Sequence, residues 1–100
     1  MQREEAIRRL KACEPALRIR GVAHLSLFGS VARGDPRPDS DLDVLIDLSP
    51  EAEPRFSLLD QAGIHVLLSD AFGRNVDVVL RRALRAPMRA RVEPDEVPVF

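Results

Sequence analysis

Three aspartates stand out as residues whose type and spacing could do chemistry. Asp41 and Asp43 are two positions apart in one apolar run, and Asp77 lies in another. Alternate residues of a strand point to the same face, so Asp41 and Asp43 would project together, about 6–7 Å apart at the backbone. Their oxygens could converge on two cations about 3.5–4 Å apart. Because Mg²⁺ prefers carboxylate and water ligands, the pattern indicates a candidate site for two Mg²⁺ ions.

Asp77 would complete this site if its strand lay beside the strand of Asp41, about 4.8 Å away. Three close carboxylates repel one another strongly unless cations neutralise them. The residues alone leave two alternatives open. Asp41 and Asp43 could be the solvated face of a half-exposed strand, and Asp77 could lie at an exposed sheet edge.

A glycine–serine pair, Gly29 and Ser30, follows an apolar run and precedes a possible helical turn. Glycine lets a backbone pass close to a ligand, and the amides that begin a helix can point at an anion. With the Ser30 hydroxyl as a further donor, the pair suits a triphosphate, although an ordinary strand-to-helix turn has the same composition. Arg33 could contact phosphate or pair with the Asp-rich loop that follows it.

The elements that must position these residues can be predicted from apolar periodicity. Helices are predicted over residues 3–17, with a second short helix starting near Pro15, and over residues 57–72 and 83–91. Strands are predicted over residues 22–28, 41–48 and 76–80, with a loop between Gly34 and Asp41 and an extended or frayed C-terminal tail. This order predicts an α/β (α+β) fold with a small mixed sheet of about three strands and helices packed on one face.

Composition narrows the class of protein. The 100 residues predict a single domain, residues 1–100. With 15 basic and 16 acidic side chains the net charge is −1, which makes nucleic acid an unlikely partner. The single cysteine, Cys13, excludes an internal disulfide, and no apolar stretch suits a signal peptide or membrane span, so we expect a cytoplasmic protein. His24 and His65 are isolated and are interpreted as structural or exposed.

The segment GIHVLLSDAFGRN, residues 63–75, is less polar than an exposed helix usually is. Apolar residues of a helix are most often part of the core. A surface for a partner protein is the alternative.

The spacing of these motifs resembles a known signature. Gly29-Ser30, ten intervening residues and then Asp41-Leu42-Asp43 resemble the DNA polymerase β-like nucleotidyltransferase superfamily. The run FGSVARGDPRPDSDLDVLID is similar to its minimal nucleotidyltransferase group, and the resemblance extends from the first helix to beyond Asp77. It implies the nucleotidyltransferase fold, nucleotide phosphates at Gly29, Ser30 and Arg33, and two Mg²⁺ ions held by the three aspartates.

The resemblance also implies a function. Members of this size are commonly antitoxins that pair with a helical ribonuclease toxin of the HEPN family and transfer AMP from ATP to a tyrosine of that toxin. This chain has no tyrosine, which excludes self-modification at that residue type. Two alternatives stay open: a non-catalytic binding module that neutralises its partner by occlusion, and an enzyme acting on a small molecule or a nucleic acid end. The short chain and near-neutral charge count against the last.

Overall fold

The sheet has four strands, one more than predicted. The computed structural model describes residues 1–35 and 41–100, and its strands are β1 (Val22–Phe28), β2 (Leu42–Leu48), β3 (Val76–Leu80) and β4 (Val97–Pro98). Their order is β3-β2-β1-β4, with β1 antiparallel to β2 and β4, and β2 parallel to β3. The mixed sheet is confirmed. The count was wrong because the two-residue β4 is too short to show a period of two.

In the described part of the chain, five helices accompany the sheet. They are α1 (Arg3–Ala12), α2 (Glu14–Ile19), α3 (Gly29–Ala32), α4 (Leu58–Phe72) and α5 (Ala86–Val92), with 3₁₀ turns at Glu53–Arg55, Arg81–Ala83 and Glu93–Asp95. Pro15 lies in the first turn of α2, where the missing amide proton has no cost. The predicted break near Pro15 is therefore confirmed. The predicted loop between Gly34 and Asp41 falls mostly on residues 36–40, outside the described residues.

Helix α4 joins the parallel strands β2 and β3, and its ends are defined by local chemistry. Ser57 accepts a hydrogen bond from the Asp60 amide, while the Asp60 carboxylate accepts one from the Ser57 amide. This reciprocal cap satisfies two donors of the first turn. At the other end, Gly73 adopts a φ of 67°, the left-handed conformation that stops a helix.

The main core lies between one face of the sheet and helices α1, α2 and α4, as predicted. Its fully buried members come from every one of these elements: Ala6, Leu10, Leu17, Leu25, Leu27, Leu42, Val44, Ile46, Ile64, Leu68 and Val76. Burying each large aliphatic side chain stabilises the fold by roughly 1.5–3 kcal/mol relative to exposure. In the part of the chain that the structure describes, no helix is long and apolar enough to cross a membrane.

The opposite sheet face carries Asp43, Leu45 and Asp47, and the C-terminal segment covers part of it. Leu45 is fully buried there, outside the main core cluster. Arg81 Nε donates to Asp47 at 2.8 Å, and the Arg81 guanidinium also pairs with Glu96. The sequence predicted helices on one face of the sheet only. The C-terminal segment covers part of the other face, and Arg81 holds it there through its contacts with Asp47 and Glu96.

We expect Arg81→Leu to destabilise the chain by about 1–3 kcal/mol at pH 7, because it removes the cation that pairs with carboxylates largely shielded from water. The hydrogen bond from Arg81, with a further one from Ser26, holds the pKa of Glu96 below its usual value of 4.5. A lowered carboxyl pKa contributes stability above the unfolded pKa, and this stability is lost as pH falls through the folded pKa. The difference between variant and wild type should therefore shrink below about pH 4.5, as measured by urea unfolding.

Arg8→Leu is the control for this experiment. Arg8 pairs with Glu5 of the same helix at 3.6 Å, and the two side chains are 74% and 51% exposed. Exposed pairs of this kind contribute little, so a change within about 0.5 kcal/mol is expected. Equal losses in the two variants would show that the Arg81 cluster has no special role.

Candidate active site

Asp43 lies at the centre of the site, on the middle of three neighbouring strands. In the strand register it stands opposite Phe28 of β1 on one side and Asp77 of β3 on the other. Residues paired in register project to the same sheet face, and the backbones of neighbouring strands are about 4.8 Å apart. The structure thus brings Asp43 and Asp77 together, because the two apolar runs that carry them form adjacent parallel strands.

Asp41 is placed differently. It precedes the first residue of β2, and its side chain is exposed. Within residues 1–35 and 41–100, no group of three or more His, Cys, Asp or Glu side chains lies close enough to hold one metal ion. Carboxylates without a counter-charge repel one another, so such a group would converge fully only around cations.

The electrostatics of Asp43 reflect this crowding. Its pKa is raised from 3.8 to about 6, mostly by burial and further by the charges of Asp77 and Asp41, while Arg33 opposes the shift. A divalent cation would remove the repulsion that raises this pKa. The donors are all carboxylate oxygens, the ligands that Mg²⁺ prefers, so the residues present fit a Mg²⁺ site.

Gly29 directly follows β1 and lies beside Asp43, in an arrangement that favours glycine over every other residue type. Its φ is 80°, a conformation that L-residues rarely adopt. A Cβ at this position would lie 3.2 Å from Asp43 Cγ and would overlap the Oδ2 atom. The turn backbone therefore passes directly against the Asp43 carboxylate.

Helix α3 starts at this turn, with Ser30 as its second residue. Among the described residues no side chain caps its first amides, since Phe28 occupies the N-cap position. Uncapped amides that start a helical turn favour an anion. At the far end of the turn, Arg3 Nη1 donates to the Ala32 carbonyl at 3.1 Å, which fixes the turn to α1.

Arg33 follows α3 and pairs with Asp95 across a distance of 3.2 Å between Nη1 and Oδ2. From the sequence, Arg33 could contact phosphate or pair with the Asp-rich loop that follows it. Asp95 lies outside that loop, which falls mainly on residues 36–40. The pair is partly exposed, and such pairs are worth at most about 1 kcal/mol. Arg33 can therefore exchange Asp95 for a ligand at little cost.

A cleft of about 610 Å³ opens next to the two aspartates. Its lining comes from β2, β3 and α4: Asp43, Leu58, Gln61, Ala62, His65, Asp77, Val78 and Val79. The sequence did not predict that α4 lies at the site, since no local sequence pattern shows which strand a helix packs against. A second cleft, of about 500 Å³, lies at the other end of β2 beside Ser49 and does not include these aspartates.

Two polar residues of α4 hold it against the outer edge of β3. His65 Nδ1 donates to the Val76 carbonyl at 2.8 Å, and Gln61 Nε2 donates to the Val78 carbonyl at 2.9 Å. This contact agrees with the structural role that the sequence predicted as one possibility for His65. His24 is exposed, which agrees with the other possibility. The spacing of four between Gln61 and His65 was the available sequence signal for a shared helix face.

The chain is similar to known proteins over almost its whole length. Residues 6–99 match the nucleotidyltransferase domain family. A Methanocaldococcus jannaschii protein assigned as a protein adenylyltransferase is 31% identical over 86 residues, which are 86% of this chain and 88% of that protein. A solved structure assigned as a minimal nucleotidyltransferase is 34% identical, with a TM-score of 0.81 over 98% of this chain and 96% of that one. A toxin–antitoxin structure with AMP-PNP shares the fold at 18% identity, with a TM-score of 0.70 over 92% of this chain and 72% of that chain.

Proposed function

The chain belongs to the nucleotidyltransferase domain family, within its minimal nucleotidyltransferases, and from this premise we propose that it transfers AMP from ATP to a hydroxyl of a partner protein. The observation that carries the proposal is the pairing of Asp43 with Asp77 in register, beside the Gly29 turn. A relative of similar length is assigned as a protein adenylyltransferase, which supports a protein acceptor.

In the proposed reaction, an acceptor hydroxyl oxygen bonds to the α-phosphorus of ATP, the bond to the bridging oxygen of the β-phosphate breaks, and pyrophosphate leaves. Gly29 and Ser30 would hold the phosphates through the uncapped amides of α3, with Arg33 nearby. Asp41, Asp43 and Asp77 would hold two Mg²⁺ ions, which when bound lower the pKa of the hydroxyl and neutralise the leaving group. Asp77, which lines the cleft, would take the acceptor proton.

We propose a tyrosine of a HEPN-family toxin as the acceptor, with this chain as the antitoxin. A toxin–antitoxin structure with AMP-PNP shares this fold, which supports both the pairing and the nucleotide. The chain has no tyrosine of its own to modify. Neutralisation by occlusion alone is the second candidate, favoured by exposed apolar side chains on α4. It would need neither ATP nor the crowded aspartates.

Isothermal titration of ATP, with and without Mg²⁺, tests the proposed site. We expect binding by the wild type only with Mg²⁺, and no binding by Asp41→Asn/Asp43→Asn, because the metal ligands are lost. Asp70→Asn, an exposed aspartate on α4, is the control and should bind as the wild type does. Equal binding by the double variant, or an absence of binding by the wild type, would reject the nucleotide site.

A further inference from the structure

Asn75 holds one oxygen of the Asp77 carboxylate. It directly precedes β3 and lies two positions before Asp77, so the two side chains project to the same face of the sheet. Its Nδ2 donates to Asp77 Oδ1 at 3.0 Å. The Asn75 carbonyl accepts a long hydrogen bond, of 3.4 Å, from the Leu42 amide at the start of β2. The backbone of Asn75 is thus tied to the sheet beside the carboxylate that its side chain contacts.

The backbone on both sides of Asp77 is fixed by helix α4. The carbonyl of Val76 accepts from His65 Nδ1 at 2.8 Å, and the carbonyl of Val78 accepts from Gln61 Nε2 at 2.9 Å. On its other side, β3 pairs with β2 in parallel register. Because the main chain is held from both directions, the freedom left to Asp77 is rotation of its side chain. The hydrogen bond to Oδ1 restricts that rotation.

The second oxygen of Asp77 is left free by this contact. A carboxylate has two oxygens and about four acceptor positions. Among residues 1–35 and 41–100, Asp77 Oδ2 has no hydrogen-bond partner, and it is not one of the buried polar atoms that lack a partner. Asp77 lines the cleft together with Asp43, its partner in register. One oxygen of Asp77 is therefore fixed, while the other is available to a cation or to an acceptor hydroxyl.

The type of donor fits a metal ligand better than a structural ion pair. Asp47, on the same sheet face, accepts from the Arg81 guanidinium at 2.8 Å and lies outside the lining of the cleft. A guanidinium offsets the charge of a carboxylate and would compete with Mg²⁺. The neutral amide of Asn75 orients Asp77 and leaves its charge to attract a metal ion. Asn75 is also exposed, and a hydrogen bond open to water adds little to the stability of a fold.

We infer that Asn75 is a positioning residue for nucleotidyl transfer. Its amide fixes Asp77 Oδ1 and leaves Oδ2 to the cleft, where the carboxylate holds metal beside Asp43 and meets the acceptor hydroxyl. This inference rests on the proposed function and adds how Asp77 is oriented. Residues that orient a metal ligand without touching the metal commonly contribute about ten- to hundredfold to metal affinity or activity.

Binding of Mn²⁺ in the absence of nucleotide, measured by electron paramagnetic resonance, tests this inference. Mn²⁺ is the probe because it takes the same oxygen ligands as Mg²⁺. Asn75→Leu keeps the branching of the side chain but removes its donor. We expect its dissociation constant for Mn²⁺ to be about tenfold higher than that of the wild type. In an Asp77→Asn chain, adding Asn75→Leu should change the Mn²⁺ affinity no further, because Asn75 acts through Asp77.

Ser69→Ala is the matched control. Ser69 Oγ accepts from the Val76 amide at 3.1 Å, one position from Asp77, and has no hydrogen bond to the Asp77 carboxylate. This variant should lose stability in urea and keep the wild-type affinity for Mn²⁺.

Three results would overturn the inference and leave the proposed function standing. Asn75→Leu could keep the wild-type affinity for Mn²⁺, Ser69→Ala could lose as much affinity as Asn75→Leu, or Asn75→Leu could weaken binding equally with and without the Asp77 carboxylate. A wild type that binds no Mn²⁺ would overturn the inference together with the metal site of the proposed function.

Discussion

Asp43→Asn is expected to reduce nucleotidyl transfer by about a thousandfold or more and, in the absence of metal, to make the folded chain more stable at neutral pH. The first effect follows because several kcal/mol of transition-state stabilisation would depend on metal ions that Asp43 helps to hold. The second follows from burial, and from the nearby charges of Asp77 and Asp41, which together raise the pKa of Asp43 from 3.8 to about 6. Activity and stability thus change in opposite directions.

The sign of the stability change can be worked out from this pKa. Between pH 3.8 and about 6 the folded chain keeps a proton on Asp43 that the unfolded chain releases, so stability decreases as pH rises through this interval. Each pH unit of that interval is worth at most about 1.4 kcal/mol, and the half-exposed side chain reduces the total to about 1–2 kcal/mol. Asn removes this cost above pH 6 and makes little difference near pH 4.

Urea unfolding in EDTA at pH 4 and pH 7, together with transfer from labelled ATP, measures both effects. Asp47→Asn is the matched control, because Asp47 lies on the same strand and sheet face but accepts a hydrogen bond from Arg81 at 2.8 Å. It should lose stability and keep transfer. A metal-free Asp43→Asn chain less stable than the wild type at pH 7 would contradict the electrostatic interpretation.

Gly29→Ala is expected to reduce kcat/KM by about a hundredfold or more. A Cβ at this position would overlap Asp43 Oδ2, so the carboxylate must leave the position that it holds between Gly29 and Asp77. Misplacement of a reacting or metal-holding group by about 1 Å is enough for a loss of this size. The φ of 80° adds backbone strain of about 1–3 kcal/mol.

Gly34→Ala separates these two causes. Gly34 has a φ of 79°, but a Cβ there meets no atom of residues 1–35 and 41–100 within 4 Å. Both variants should lose similar stability in thermal unfolding, and only Gly29→Ala should lose most of its transfer. An equal loss of transfer in Gly34→Ala would mean that turn strain, and not the contact with Asp43, controls activity.

Much of the fold follows from local periodicity. The bounds of β1 and β3 were predicted from alternation and turn residues, and α4 from its apolar spacing and the Ser57 start. The adjacency of Asp43 and Asp77 was also predictable, because a helix between two apolar strands favours their parallel pairing. Each of these elements depends on residues within about twenty positions of one another, whereas the pairing of Asp43 with Asp77 joins more distant positions through the helix between them.

The remaining features depend on contacts between distant parts of the chain. Arg33 pairs with Asp95, and Ser26 donates to Glu96 at 2.6 Å, across 62 and 70 positions. The return of the C-terminal segment, which brings Glu96 against Ser26 and Arg81, was not predicted from the sequence. The exposure of Leu59 could not be predicted either, since an apolar helix residue is usually core.

Helix α4 covers the outer edge of β3, and this has a consequence for how the chain can assemble with other chains. Part of the outward backbone of β3 is already used, since Val76 donates to Ser69 Oγ and its carbonyl accepts from His65, while the Val78 carbonyl accepts from Gln61. The opposite edge, β4, has only two residues, and Pro98 has no amide proton to offer. The two described borders of the sheet thus offer few free backbone groups to an incoming strand, which disfavours edge-to-edge aggregation. A partner protein is therefore expected to contact mainly the side chains of this chain.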